Sequence, residues 1–203
     1  MIDNSKLIAP FFKDVDANEF LHCQVVRRAK DHPHEKVVES PVNTYLFKSY
    51  NHLCLHKAEI INICETEGAR AYINVSPKSF ESVNIELLGK LTVAVRTKSL
   101  ATTSPIKILN SAIGVVKGRP QKWMIDIDDM SLVKVVKRAL HTIDMHYGSN
   151  TVIYGEIPTV QGEHLIVSPF NRDAFEKLFP EIDIYPNSMG TLLYYPYSLN
   201  HGK

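Results

Sequence analysis

The stretch QKWMIDIDDM, Gln121–Met130, reads as a buried strand that runs into three aspartates, Asp126, Asp128 and Asp129. Taking a carboxylate out of water costs several kcal/mol unless something compensates. On a strand, side chains two residues apart point to the same face. Trp123, Ile125 and Ile127 therefore share one face, and Met124, Asp126 and Asp128 share the other. That spacing sets two carboxylates side by side, about 7 Å apart along the backbone. A divalent cation would relieve their repulsion. Mg²⁺ takes one or two carboxylates and completes its shell with water and phosphate oxygens. Two such ions can stabilise the attacking and the leaving oxygen of a phosphoryl transfer. A plainer reading exists for the last positions. Asp129, and with it Asp128, would cap a helix that starts at Met130 by accepting its free N–H groups. Capping does not serve Asp126, which lies inside the apolar run.

Working outward, TVIYGEIPT and EHLIVSPF read as two strands joined by the turn VQG. Gly162 allows that turn either a positive φ or a close backbone approach. Thr159 and Gln161 offer side-chain hydrogen bonds, and His164 shares a face with Ile166 and Ser168. Such a turn beside a hydroxyl and an imidazole can hold phosphate oxygens. The plainer reading is a hairpin with a half-buried histidine bonded to backbone. Further on, Asp183 lies in a β-like run between Ile182 and Ile184. If that strand neighbours the Asp126 strand, three carboxylates converge. Tyr185, Tyr194, Tyr195 and Tyr197 make the end of the chain aromatic. Tyrosines can stack on bases, although strand packing is their commoner use.

Upstream, Glu19–Lys30 reads as a strand, 31–41 as a loop and Val42–Tyr50 as a strand or extended lead-in. Leu53, Lys57, Ile60, Ile61 and Cys64 have helical spacing, with Gly68 as C-cap. Ala69–Val75 alternates like a strand. Ser76-Pro77 is expected to open a helix with proline at its first position. Thr102–Gln121 shows only a short apolar patch and a Gly-Arg-Pro punctuation. Met130–Ile143 is an amphipathic helix, and 172–180 a short one. IDIYPNS and TLLYYPYS are expected to close the chain as a strand pair around Met189-Gly190. The pattern predicts an α+β fold in which helices flank a mixed or antiparallel sheet.

The chain has 203 residues and a net charge of +1. The length suits one large domain or two small ones, and we read residues 1–203 as a single α+β domain. A dedicated duplex-DNA binder usually carries a strong basic excess, so tight non-specific binding of duplex is not expected. No run of apolar residues is long enough for a membrane span, and MIDNSKLIAPFFKDVD has no signal-peptide pattern. Cys23, Cys54 and Cys64 are odd in number and unpaired by motif, which favours a reducing cytoplasm. His52, Cys54 and His56 could ligate zinc but lack a partner pair at finger spacing. His141 and His146 flank a helix end, where positive charge suits the helix dipole. VVRRAK and KVVKRA are small basic stretches, the second expected to be a solvated helix face.

Taken in order, WMIDIDD, TVQGEHLIV and EIDIY resemble the motifs of the archaeo-eukaryotic primase superfamily, the primase-polymerases. That family has an acidic strand, then a turn with histidine leading into a strand, then a third acidic strand followed by a strand pair. QGEHLIV fits the second motif, although no serine precedes His164 at the usual place. The closing TLLYYPYSLNHGK is similar to the family's final apolar strand, with Tyr194 and Tyr195 where a basic residue is common. The resemblance covers 69–203, a primase-like core, and leaves 1–68 unmatched. The motif series is also similar to small proteins of bacteria and their large phages. The resemblance implies a nucleotidyltransferase of DNA replication that uses Mg²⁺ or Mn²⁺. Asp126, Asp128 and Asp183 would be catalytic and hold the metals. His164, Thr159, Gln161 and Gly162 would bind the nucleotide. Partners would be a nucleoside triphosphate and single-stranded nucleic acid, not a membrane. Arg70 or Lys122 could supply the missing basic group. Two other functions fit the same residues. One is a non-catalytic module that binds nucleic acid or a replication partner, and the other is a metal-dependent nuclease.

Overall fold

Cys23 and Val25 are fully buried while Gln24 between them and Val26 after them are not, so β2 (Glu19–Arg27) presents a different neighbour to each face. The computed structural model describes residues 1–36, 40–101, 103–147, 151–186 and 190–200. β2 pairs on one side with β3 (Ser40–Phe47) and on the other with β4 (Arg70–Ile73) and β5 (Lys78–Ser79). β10 (Thr191–Tyr195) lies beyond β4, and β1 (Ile2–Asp3) closes that edge. A second sheet has the order β7 (Ile153–Pro158), β8 (Glu163–Val167), β6 (Trp123–Ile127), β9 (Asp183–Tyr185). Every described pairing is antiparallel. The fold is α+β, with two antiparallel sheets rather than one.

Helices cover the outer faces. α2 (Tyr50–Glu67) buries Leu53, Ile60 and Cys64 against Cys23, Val25, Ala71 and Ile73 of the first sheet. It ends at Gly68, whose φ of 57° and ψ of 45° form the left-handed cap that glycine tolerates. On the second sheet, Ile125, Ile127, Leu165 and Val167 meet Val136 and Leu140 of α5 (Val133–Tyr147) and Phe175 of α6 (Arg172–Leu178). The opposite face of that sheet, with Met124 and Ile166, turns toward the first sheet. Asn4, which precedes α1 (Ser5–Ile8), ties the two together. Its amide donates to Pro158 O and Leu192 O, both at 2.9 Å. α3 (Phe80–Arg96) and α4 (Pro105–Val115) form a hairpin on Phe20 through Val83, Ala112 and Ile113.

Several expectations are corrected. Ser76-Pro77 does not open α3. Lys78–Ser79 is drawn into a strand against Glu19–Phe20, and Ser79 caps the helix by accepting from Ser82 N–H. Ser76 is buried, its Oγ accepting from Lys122 N–H at 3.0 Å. The apolar patch after Thr102 is a full helix, α4, with Pro105 at its first turn. α5 begins at Val133, not Met130. β9 and β10 do not pair. β10 is buried at all five positions and takes β4 and β1 as partners, while Ile184 of β9 is needed in the second sheet's core. The Met189 turn, residues 37–39 of the loop read over 31–41, the side chain of His146 and residues 201–203 lie outside the described residues. Cys23, Cys54 and Cys64 are free thiols. Among the described residues no helix is long and apolar enough to cross a membrane.

A buried lysine and a buried neutral histidine set stability. The Lys122 side chain is fully buried and meets Asp14 at 2.8 Å, between the rings of Phe11 and Tyr154. Removing the anion leaves a desolvated charge, so Asp14→Ala should lower stability by about 2–3 kcal/mol in denaturant melts, and Lys122→Met by less. His22 is held down to about 4 by burial and then by the nearby Lys78 charge, against a hydrogen bond that the ring donates to Asn110. Between the ordinary 6.5 and that value the unfolded chain takes up a proton that the folded chain refuses. Stability should therefore fall as pH drops from 6.5 toward 4, by up to about 3 kcal/mol. His22→Gln should flatten that slope in melts followed across the same window.

Candidate active site

β6 is an inner strand of the second sheet, and its register decides which residues meet. Asp126 lies opposite His164 of β8 on one side and opposite Asp183 of β9 on the other. Directly paired residues on neighbouring strands project from the same face. The three groups read from separate parts of the sequence thus stand in one row, on the face turned toward the first sheet. The alternation of Trp123, Ile125 and Ile127 against Met124 and Asp126 is as expected, because the former pack under α5 and α6.

His164 is buried and fixed at both ring nitrogens. Nε2 lies 3.3 Å from Asp126 Oδ1, and Nδ1 lies 2.9 Å from Thr191 Oγ1. In the neutral ring one nitrogen donates and the other accepts; N–H on Nε2 would serve Asp126, and Nδ1 would accept the Thr191 hydroxyl. The imidazole therefore joins the two sheets as well as facing the carboxylate. Asp126 itself is 30% exposed. Asp183 is exposed on the edge strand and accepts from the Tyr185 hydroxyl at 3.2 Å. Burial, and then the Asp183 charge, push the Tyr185 phenol up.

Asp128 is exposed just past the end of β6. Asp129 does local work: its Oδ1 accepts from Ser131 N–H at 2.8 Å, and its C=O accepts from Leu132 N–H at the entry to α5. Those bonds hold its carboxyl below the usual range.

The turn before β8 is closed on itself. Thr159 N–H donates to Gly162 O at 2.9 Å, and Gly162 N–H donates to Thr159 Oγ1 at 3.0 Å. Gly162 is not in the positive-φ region; Gly68 is the glycine found there among the described residues. What requires glycine is approach. A Cβ at 162 would sit 1.8 Å from Ile127 O and 2.8 Å from Asp128 Cα. The turn is thereby pressed onto the end of the aspartate strand, which sets Thr159 and Gln161 beside Asp126 and Asp128.

These residues line one wall of a cleft of about 430 Å³ between the sheets. The opposite wall carries Arg28, Lys30, Arg70 and Tyr72. Arg28 Nη1 donates to the Tyr72 hydroxyl at 3.2 Å. Arg70 forks onto Asp31, with Nε to Oδ2 at 2.7 Å, and stacks 4.8 Å from the Tyr195 ring centroid. Burial, and then the charges of Arg28 and Arg70, push the Lys30 ammonium down, while Asp31 and Asp128 pull it back up. Sequence reasoning missed Arg28 and Lys30. The usable signal was VVRRAK at the end of a strand, where alternation sends Arg27 toward Glu35 and Arg28 into the cleft. Of the two cations considered for this role, Arg70 lines the cleft and Lys122 is consumed by Asp14. A hollow of about 600 Å³ shares Lys30, Arg70, Val160 and Gln161 with the cleft and extends it past Arg27, His32 and His34.

The chain was compared with models of known families, with curated proteins and with solved structures, and none matches. Among the described residues no group of three or more His, Cys, Asp or Glu stands ready to hold a metal. His52 and His56 meet edge to face with ring centroids 5.1 Å apart, both also contact the Phe47 ring, and Cys54 is exposed. Asp126 and Asp128 do fit the Mg²⁺ manner of binding, in which protein gives one or two carboxylates and substrate phosphate and water give the rest.

Proposed function

We propose that the cleft binds a nucleoside triphosphate with a divalent cation and that the protein is a nucleotidyltransferase of the primase-polymerase type, acting on nucleic acid. The observation that carries this reading is the His164–Asp126 pair, with Asp128 beside it, facing Arg28, Lys30 and Arg70 across one cleft. A carboxylate row alone would repel a triphosphate, and a basic wall alone would not hold a cation. Together they suit a metal-bound polyphosphate.

Asp126 and Asp128 would hold Mg²⁺ or Mn²⁺, which on binding neutralises phosphate charge and positions a 3′-hydroxyl against the α-phosphate. Arg28, Lys30 and Arg70 would take the negative charge of the phosphate tail. Nε2–H of His164 would shift from Asp126 to a phosphate oxygen, with Thr191 keeping the ring in place. Gln161 and the Thr159 hydroxyl would border the phosphates; the Gly162 N–H is spent within its own turn. Asp183 would join the cation site on turning from Tyr185. The hollow beyond Arg70 offers a path for a single strand.

One observation favours a second reading, binding without turnover: Asp183, the third carboxylate, is exposed and bonded to Tyr185. A primed-template incorporation assay with Mn²⁺ separates them. Extension by wild type and none by the Asp126→Ala/Asp128→Ala protein is the expected result. Equal signal from both proteins would end the catalytic reading. Shortening of a labelled single strand instead of extension would mark a nuclease.

A further inference from the structure

Past Glu81 and Glu86 in the first two turns of α3, the α3–α4 hairpin is basic. From Leu87 to Ile125 the sequence holds seven Lys or Arg and no Asp or Glu, in a chain whose net charge is only +1. Lys90, Arg96, Lys98 and Lys107 of this segment have no carboxylate partner among the described residues. The hairpin is also incompletely packed. Of the 17 residues of α3 only Val83 and Ala94 are buried, and Ile85, Leu88 and Val93 are each at least 60% exposed. Between the two helices runs a groove of about 680 Å³. Its floor is Ala94 and Ile108, its walls include Ile85 and Val93, and Lys90 and Lys107 stand beside them, outnumbering the one acidic group of the lining, Glu86. Gly89 opens it further, since a Cβ there would meet nothing within 4 Å.

We propose that this groove is a docking site for an acidic, amphipathic helical segment of a partner protein. An apolar trough flanked by unpaired lysines matches such a helix on both counts: apolar residues at i and i+4 fill the trough, and carboxylates on its flanks meet the lysines. A nucleic-acid strand fits less well, because the exposed apolar side chains are aliphatic and offer no ring for a base to stack on. A membrane surface fits less well, because Ala94 and Ile108 are recessed between two helices, whereas a bilayer takes up a convex apolar face. The groove is lined by residues separate from those of the cleft, so this inference stands apart from the nucleotidyltransferase reading.

The test is to pan a phage-displayed library of random peptides on the full chain, then titrate the selected peptides, fluorescently labelled, against wild type and two variants. Lys90→Glu/Lys107→Glu reverses the rim charge. Gly89→Leu fills the groove while improving helix propensity, so it keeps the fold. The expected outcome is that selected peptides are acidic with apolar residues at helical spacing, and that each variant weakens them by about tenfold or more with a thermal midpoint no lower than that of wild type. The proposal is overturned if the selected peptides are neutral or basic, if no peptide is selected, or if binding ignores both variants. It is also overturned if a single-stranded oligonucleotide or phosphatidylserine vesicles bind with the same sensitivity while acidic peptides do not.

Discussion

Asp126→Asn is expected to reduce nucleotide incorporation by at least about a hundredfold while leaving the fold intact. The substitution keeps the shape of the side chain and an oxygen for His164 Nε2–H, but removes the negative charge that a divalent cation needs. Asp126 is partly exposed and its bond to His164 is 3.3 Å, so the stability change should stay within about 1 kcal/mol. A comparison with Asp183→Asn ranks the carboxylates. Asp183 stands on an edge strand and already accepts from Tyr185, so its loss should matter less than that of Asp126. A larger loss for Asp183 than for Asp126 would mean that the edge carboxylate, not the central one, is the main cation ligand.

The second large effect is on folding. Gly162→Ala should destabilise the protein by about 3 kcal/mol or more, because the new Cβ would overlap Ile127 O and crowd Asp128 Cα, both backbone. Neither atom can move without breaking the β6–β8 register that brings Asp126 to His164. Gly89→Ala is the matching control. It adds the same methyl group to α3 where nothing lies within 4 Å, and should stabilise by about 0.5–1 kcal/mol through helix propensity. Chemical denaturation of both variants measures the contrast. An unperturbed Gly162→Ala protein would mean that the turn is not held against the aspartate strand.

What the sequence disclosed follows the periodicity of its strands. Met124 and Asp126 against Ile125 and Ile127, and His164 against Leu165, sort by face with a period of two, and the structure keeps that sorting. Registers between strands distant in sequence carry no such period. That Asp126 faces both His164 and Asp183 could be stated only as a condition, and the supposed pairing of β9 with β10 shows how adjacency in sequence misleads. The basic wall was hidden for the same reason. Arg28 and Lys30 are ordinary charges at a strand end until β2 is known to be an inner strand of the facing sheet. Gly162 invited a φ argument, whereas its constraint comes from the backbone of Ile127 and Asp128, distant in sequence but in contact in space. α4 was missed although its signals were present: Ser104-Pro105 at its start and Ile108, Leu109, Ala112 and Ile113 at helical spacing.

The most direct measurement is calorimetric titration of a nucleoside triphosphate into the wild-type protein, with and without Mn²⁺, repeated on Arg70→Ala and Asp126→Asn. Binding that needs Mn²⁺, weakens without the Arg70 guanidinium and loses its Mn²⁺ dependence without the Asp126 charge is the predicted result. Absence of binding to wild type in the presence of Mn²⁺, or binding that neither substitution alters, would contradict the assignment of this cleft to a metal-bound nucleotide.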